Sequence, residues 1–401
     1  MSTAGTATSN LVRSGLQSFH DVSSSLWARV PKPKTKKGKA AWIVVGVVIA
    51  YALPLINLPV ITTTGSDMAS VLYDCIGYAI VAVGLNIVIG YAGLLDLGYV
   101  GFYAVGAYTV GTLTSEHWHW PFFLALPVAV VVTMVSGVLL GAPTLRVRGD
   151  YLAIVTLGFG EIVRIVITYT DWLGAATGIK AIPAPPSIGP NPPGPDGGLF
   201  DIAHLTWANG YPEVDPTKKT QFLVFGVIDI VPFYWLLLTV LVLIIVGDRL
   251  IKASRVGRAW EATREDEDAA EVMGVPTFKY KLLAFAMGAF IGGLSGAFFA
   301  TRQGYISPTS FTAMLSEMFV AAVIIGGAGN RWGAIVGGVL VAYLPERFRN
   351  FADWRMLVFG IALLLLTTFR PQGIFPARAT RRAVRAEQKI HELEGENVDV
   401  I

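Results

Sequence analysis

Three consecutive stretches decide the fold: DMASVLYDCIGYAIVAVGLNIVIG (67–90), YAGLLDLG (91–98) and YVGFYAVGAYTVGTLT (99–114). The first is a near-continuous apolar run of the length an α-helix needs to cross a bilayer, about 20 residues. In lipid, a helix is the one open structure whose backbone groups are all bonded within the segment. The run therefore predicts a transmembrane helix, and the third stretch predicts another. Gly84, Gly90, Gly93, Gly98, Gly101 and Gly106 punctuate them.

Working outward, similar runs fall at 41–58, 67–90, 98–114, 121–141, 151–170, 222–247, 281–301, 314–329, 333–346 and 354–370. The run at 333–346 is short and Gly-rich, as a re-entrant segment would be. The fold class is all-α and polytopic, with eight to ten transmembrane helices. Composition agrees. Of 401 residues, 53% are hydrophobic and 15% charged, where a soluble domain carries about a quarter charged. Mean hydropathy is +0.57. One membrane domain at 41–375 accounts for the chain better than several soluble ones. It is flanked by a polar, basic arm (1–40) and a charged tail (376–401).

The arm is not a normal signal peptide, because its apolar run comes too late. Val12, Leu16, Phe19, Leu26 and Val30 fall near helical spacing. An amphipathic surface helix and a disordered arm both fit. The single cysteine, Cys75, excludes a disulfide framework within the chain. His117 and His119 flank Trp118, which reads as an interfacial aromatic anchor and not as a metal site. No metal site is expected.

Lysine and arginine set the orientation. They cluster before the first span (Lys32, Lys34, Lys36, Lys37, Lys39), at 142–150 (Arg146, Arg148), at 248–281 and in the tail. With ten spans all four clusters face the cytoplasm, and both termini lie there. Arg347, Arg349 and Arg355 fit this arrangement poorly. The long loop at 171–221 is rich in proline and glycine and is expected to be extended and weakly structured, outside the membrane. It divides the hydrophobic sequence into two halves. In the second half Gly326, Gly327, Gly329, Gly333, Gly337 and Gly338 repeat the punctuation of the first. Paired Gly-interrupted segments point to broken helices lining a substrate path. Close helix packing through small residues is the competing explanation for any single glycine.

No nucleotide-binding loop, nucleophile elbow or zinc-binding helix occurs in the sequence. If ATP drives this protein, another chain hydrolyses it. The loop at 248–280 carries GRAWEATREDEDAAEVMGVP (257–276). A helix fits 259–273, stopped by Gly274 with Pro276 beyond. It is too short and too charged to span the membrane, and it sits between two long spans on the basic side. A helix in that position can dock on a partner and push on both spans. Its candidate coupling residues are Arg258, Trp260, Glu261, Arg264, Glu265, Asp268, Glu271 and Gly274. An ordinary solvated connector is the bland alternative.

Charges inside spans are costly and usually paired toward the bundle interior. Glu161 and Arg164, three residues apart, share a helical face. Such a pair can meet both ends of a zwitterion, or it can be a structural ion pair. Asn86, Gly93, Asp96 and Gly98 flank the first glycine break, and Glu317, Gly327 and Gly329 lie at the second. With Glu161 and Arg164 these are the candidate lining of a translocation path.

The loop resembles the coupling segment of ABC-importer permeases, in which Glu-Ala-Ala precedes glycine. It is similar more narrowly to LivM-type permeases of branched-chain amino acid importers. Three further stretches share the likeness: Gly90–Thr109, Leu145–Arg164 and Ile325–Gly333. Asp96 stands where that family usually has a small polar residue, and Thr177-Gly178-Ile179 replaces Thr-Gly-Gly. The resemblance implies a permease in the bacterial inner membrane, paired with a second homologous permease. Two ABC ATPase subunits would bind ATP and Mg, and an extracytoplasmic binding protein would deliver substrate. No cofactor is expected in this chain, nor a nucleic-acid partner. A urea or short-amide permease of the same superfamily is the alternative within the class. An ion-coupled secondary transporter, or a membrane scaffold, lies outside it.

Overall fold

The computed structural model describes residues 45–56, 67–115, 118–145, 150–186, 201–208, 211–221, 225, 230–347 and a few positions between 357 and 375. The expectations for 1–40 and 376–401 lie outside the described residues, as does nearly all of 354–370. By compactness the chain divides at Leu53/Pro54. A short apolar helix, α1, comprises Val45–Leu55.

The remaining helices are α2 (Met68–Leu85, continued by a π-helical turn at Asn86–Tyr91), α3 (Tyr99–Thr114), α4 (Phe122–Thr144), α5 (Asp150–Tyr169), α6 (Val231–Ala253), α7 (Arg255–Glu265), α8 (Glu267–Val272), α9 (Thr277–Gln303), α10 (Ala313–Gly326) and α11 (Arg331–Arg347). Among the described residues six helical segments are long and apolar enough to cross a membrane. They are α2, α4, α5, α6, α9 and the segment Pro308–Gly326. α3 has 16 residues and α11 has 17, short of the roughly 20 that a full crossing takes.

Helix α9 is the hub, packed against α2, α3 and α4. Without a hydrophobic drive between helices in lipid, small residues that let backbones approach hold such a bundle together. Gly288, Gly292 and Gly296 recur every fourth residue along α9. A Cβ at Gly296 would stand 2.0 Å from the Tyr103 carbonyl oxygen, and one at Gly106 2.1 Å from that of Gly293. The backbones of α3 and α9 are therefore as close as glycine allows. Tyr99 fixes the crossing, its hydroxyl donating to the Gly288 carbonyl at 2.8 Å. Around it Phe102, Tyr103, Phe311 and Phe319 make edge-on and tilted ring contacts.

The loop at 171–221 departs from the expected weakly structured form. It includes an antiparallel hairpin, β1 (Asp201–Ala208) with β2 (Tyr211–Gln221), with a register irregularity at Ala203/His204. The strand-favouring residues Ile202, Thr206 and Trp207, followed by Asn209-Gly210, are the sequence signal for it. Earlier in the loop, Ile179 and Ile306 exchange backbone hydrogen bonds at 2.9 and 3.0 Å. Gly178 (φ 73°) approaches too closely for any side chain: a Cβ there would lie 2.0 Å from the Ile306 oxygen.

Candidate functional site

Gly93 and Gly98 lie between α2 and α3, and Gly327 and Gly329 between α10 and α11. Gly84, Gly101, Gly106, Gly333, Gly337 and Gly338 lie within helices, where they serve close packing. The two breaks meet. At the end of α2 the chain widens into a π turn, a feature that often marks functional positions. The Ala92 amide donates to Ile87 and the Leu94 amide to Val88, at 3.1 and 3.0 Å. Leu94 would serve Gly90 in a continuing α-helix, so the Gly90 carbonyl needs another donor. Gly93 (φ 73°) then turns the chain. Asp96, fully buried, accepts from the Gly98 amide at 2.9 Å, in a local turn just before α3. Gly98 packs on the Thr156 carbonyl of α5, and the Thr156 hydroxyl accepts from the Leu97 amide at 3.0 Å.

At the second break α10 ends at Gly326. Gly327 (φ 106°) and Gly329 (φ 86°) carry the chain to α11. The terminal carbonyls of Ile325 and Gly326 accept from the amides of Ile374 and Phe375, at 2.8 and 3.0 Å. Asn330 returns a bond to the Phe375 carbonyl at 3.0 Å. Between the two breaks, the Oδ1 of fully buried Asn86 accepts from the Gly329 amide at 2.8 Å.

Helix α7 lies beside this junction, and α8 follows it. The sequence predicts one helix over 259–273; the structure has two, starting at Arg255. Ser254 caps the first, accepting from the Val256 amide at 3.2 Å. Asp266 takes an extended conformation (φ −156°, ψ 113°) and its side chain caps the second, accepting from the Ala269 amide at 2.9 Å. A short polar side chain that satisfies an N-terminal amide favours starting a new helix over continuing the old one. Gly274 (φ 85°) ends α8, as expected.

The expected coupling residues divide into two sets. Trp260 is fully buried, and its indole donates to the Tyr280 carbonyl of α9 at 2.7 Å. It anchors α7 and is not available to a partner, which corrects its reading as a docking contact. Arg264 is exposed, yet its guanidinium donates to the Gly90 carbonyl, and a Cβ at Gly93 would lie 2.9 Å from its Cγ. Arg258 donates to the carbonyl of Ala253, the last residue of α6, at 3.1 Å. Glu261, Glu265, Asp268 and Glu271 are exposed, and Glu271 accepts from the Thr277 hydroxyl. Sequence reasoning missed the tip. Val272 and Met273 are 87% and 83% exposed, apolar side chains at the outer end of a charged segment.

It also missed the C-terminal end of α6. Lys252 donates to the Gly329 carbonyl at 2.9 Å and lies 4.3 Å from the Tyr91 ring centre. The buried Asp248 carboxylate accepts from Tyr91 at 3.3 Å and from Arg331, at the start of α11, at 3.1 Å. Nothing in local sequence links these residues, because the contacts cross 77 to 174 positions of chain. The structure thus brings Asn86, Gly93 and Gly329 together with Arg264.

Glu161 and Arg164 are elsewhere. They form a two-pronged ion pair along α5, their side chains 43% and 33% exposed. The expectation that they face the bundle interior is not met within this chain, because among the described residues no other helix covers the pair and both side chains remain partly exposed. It borders an uncovered α5 surface of Ile154, Ile162, Ile165 and Tyr169. Glu317 is likewise exposed on α10. Among the described residues no cluster of potential metal ligands occurs.

Residues 68–367 match the family described as the branched-chain amino acid transport system / permease component. The chain is 41% identical over 302 residues to the high-affinity branched-chain amino acid transport system permease protein LivM of Escherichia coli, covering 75% of this chain and 68% of that protein. To LivM of Salmonella typhimurium it is 39% identical over 320 residues, 78% of this chain and 70% of the relative. It is also similar to the E. coli permease protein LivH, 30% identical over 126 residues, 29% of this chain and 40% of LivH. No solved structure matches. The chain, a multi-pass helical membrane protein, therefore belongs to the branched-chain amino acid transport system permease family.

Proposed function

We propose that this chain is one permease subunit of an ATP-driven importer for branched-chain amino acids in the bacterial inner membrane. The observation that carries the mechanism is the α7–α8 segment. It is anchored by Trp260, bonded through Arg264 to a helix break, and tipped by uncovered Val272 and Met273. An apolar tip on a charged arm suits insertion into a groove of an ATPase subunit, and the anchored base passes the push inward. The resemblance to LivM over most of the chain supports the substrate class. LivH-like proteins are the natural second permease.

The α5 face bearing Glu161 and Arg164 belongs, in this reading, at the path between the two permeases. A half-exposed charge pair in a span is costly against lipid, and a polar path or a partner chain relieves that cost. Two ATPase subunits lie on the cytoplasmic side with both termini of this chain. A binding protein delivers substrate to the side of the 171–221 loop. ATP and Mg are held by the partner subunits.

Uptake of labelled leucine in cells with and without the chain tests this. Loss of ATP-dependent uptake on deletion, competed by isoleucine and valine, is expected. Unchanged leucine uptake with redundant carriers removed would shift the assignment to urea or another small solute.

A further inference from the structure

Two cations from the coupling side each hold a backbone carbonyl at a helix break. Arg264 of α7 donates to the Gly90 carbonyl at the end of α2. Lys252 of α6 donates to the Gly329 carbonyl between α10 and α11. The two carbonyls belong to breaks already joined by the Asn86–Gly329 bond. Charged donors make the stronger hydrogen bonds; the Arg264 bond replaces one that α2 has lost, and the Lys252 bond holds the loop between α10 and α11. The cations are linked through the chain itself: α6 ends at Ala253 and α7 begins at Arg255, with Ser254 as the one residue between. Asp248, one turn before Lys252, holds Arg331 and Tyr91, the edges of the same two breaks. A displacement of α7 cannot leave the breaks as they are unless these bonds open.

We propose that Arg264, with Lys252 beside it, is a positioning residue that couples movement of α7–α8 to both helix breaks at once. This rests on the reading of the chain as an ATP-driven permease. Arg264 then touches neither substrate nor nucleotide. Its bond to Gly90 decides whether a push on α8 re-sets the path or is lost in the α7 hinge at Ser254.

The test uses the complete importer, with both permeases, ATPase subunits and binding protein, in vesicles loaded with ATP. Leucine accumulated per ATP hydrolysed is compared for the native complex, Arg264→Ala and Arg264→Lys, together with retention of the ATPase subunits on purification. Arg264→Ala is expected to keep its ATPase subunits and hydrolysis while leucine per ATP falls about tenfold, the ratio that loss of a charge-assisted hydrogen bond supports. Arg264→Lys, which keeps one donor for the Gly90 carbonyl, is expected in between. Native leucine per ATP in Arg264→Ala would overturn the inference. Loss of the ATPase subunits from both variants would overturn it as well, because Arg264 would then be a packing residue. A native complex that accumulates no leucine with ATP would remove the functional reading and this inference with it.

Discussion

Replacing Gly90 by alanine tests the meeting of the two helix breaks. A Cβ there would lie 2.2 Å from Asn86 Oδ1 and 2.4 Å from the Gly329 nitrogen. Relief requires movement of about 1 Å, and the second neighbour is backbone, which does not rotate away. The movement opens the 2.8 Å Asn86–Gly329 bond. Overpacking costs about 1–3 kcal/mol, and stranding a buried amide costs about 1–3 kcal/mol more. Against this, alanine is the better helix former by about 1 kcal/mol. The net destabilisation is roughly 1–5 kcal/mol. Gly77, in the same helix, is the control, because a Cβ there meets nothing within 4 Å. Thermal unfolding of the purified protein in detergent should show Gly90→Ala less stable than the native chain. Gly77→Ala should be equal to it or slightly more stable. Equal behaviour of the two variants would refute the contact between the breaks.

Two further predictions concern the coupling segment. Trp260→Ala empties a fully buried site and removes the bond to the Tyr280 carbonyl; a loss of about 3–5 kcal/mol is expected, read as faster proteolysis at 255–274 in membranes. Val272→Asp with Met273→Asp leaves the fold intact, since both side chains are over four-fifths exposed. It is expected to abolish co-purification of the ATPase subunits while membrane insertion stays normal.

The helices were legible in the sequence because the bilayer imposes a length and an apolar composition on each. The run read at 67–90 is the helix Met68–Tyr91, and the run at 121–141 is Phe122–Thr144. Ends were less legible. The helix expected at 222–247 is Val231–Ala253, because the apolar signal fades where Lys252 turns its charged end onto a carbonyl. Gly274 was read correctly as a stop, since φ 85° is a local property that glycine announces. The break at Asp266 was not, although aspartate is a favoured N-cap residue; the surrounding charge run hid it. The junction itself was out of reach. Asn86 and Gly329 are 243 residues apart, and Asp248 and Lys252 look in the sequence like the ordinary basic end of a span. Glu161 and Arg164 were found as a pair, but their exposure depends on which neighbours α5 lacks, which spacing does not encode.

The central claim is that this chain carries branched-chain amino acids with energy from ATP. The most direct measurement is accumulation of labelled leucine in vesicles containing the assembled importer, loaded with ATP and free of ion gradients. The account predicts accumulation that needs this chain and ATP and that valine and isoleucine suppress. Accumulation that proceeds without ATP and follows a proton or sodium gradient would contradict it.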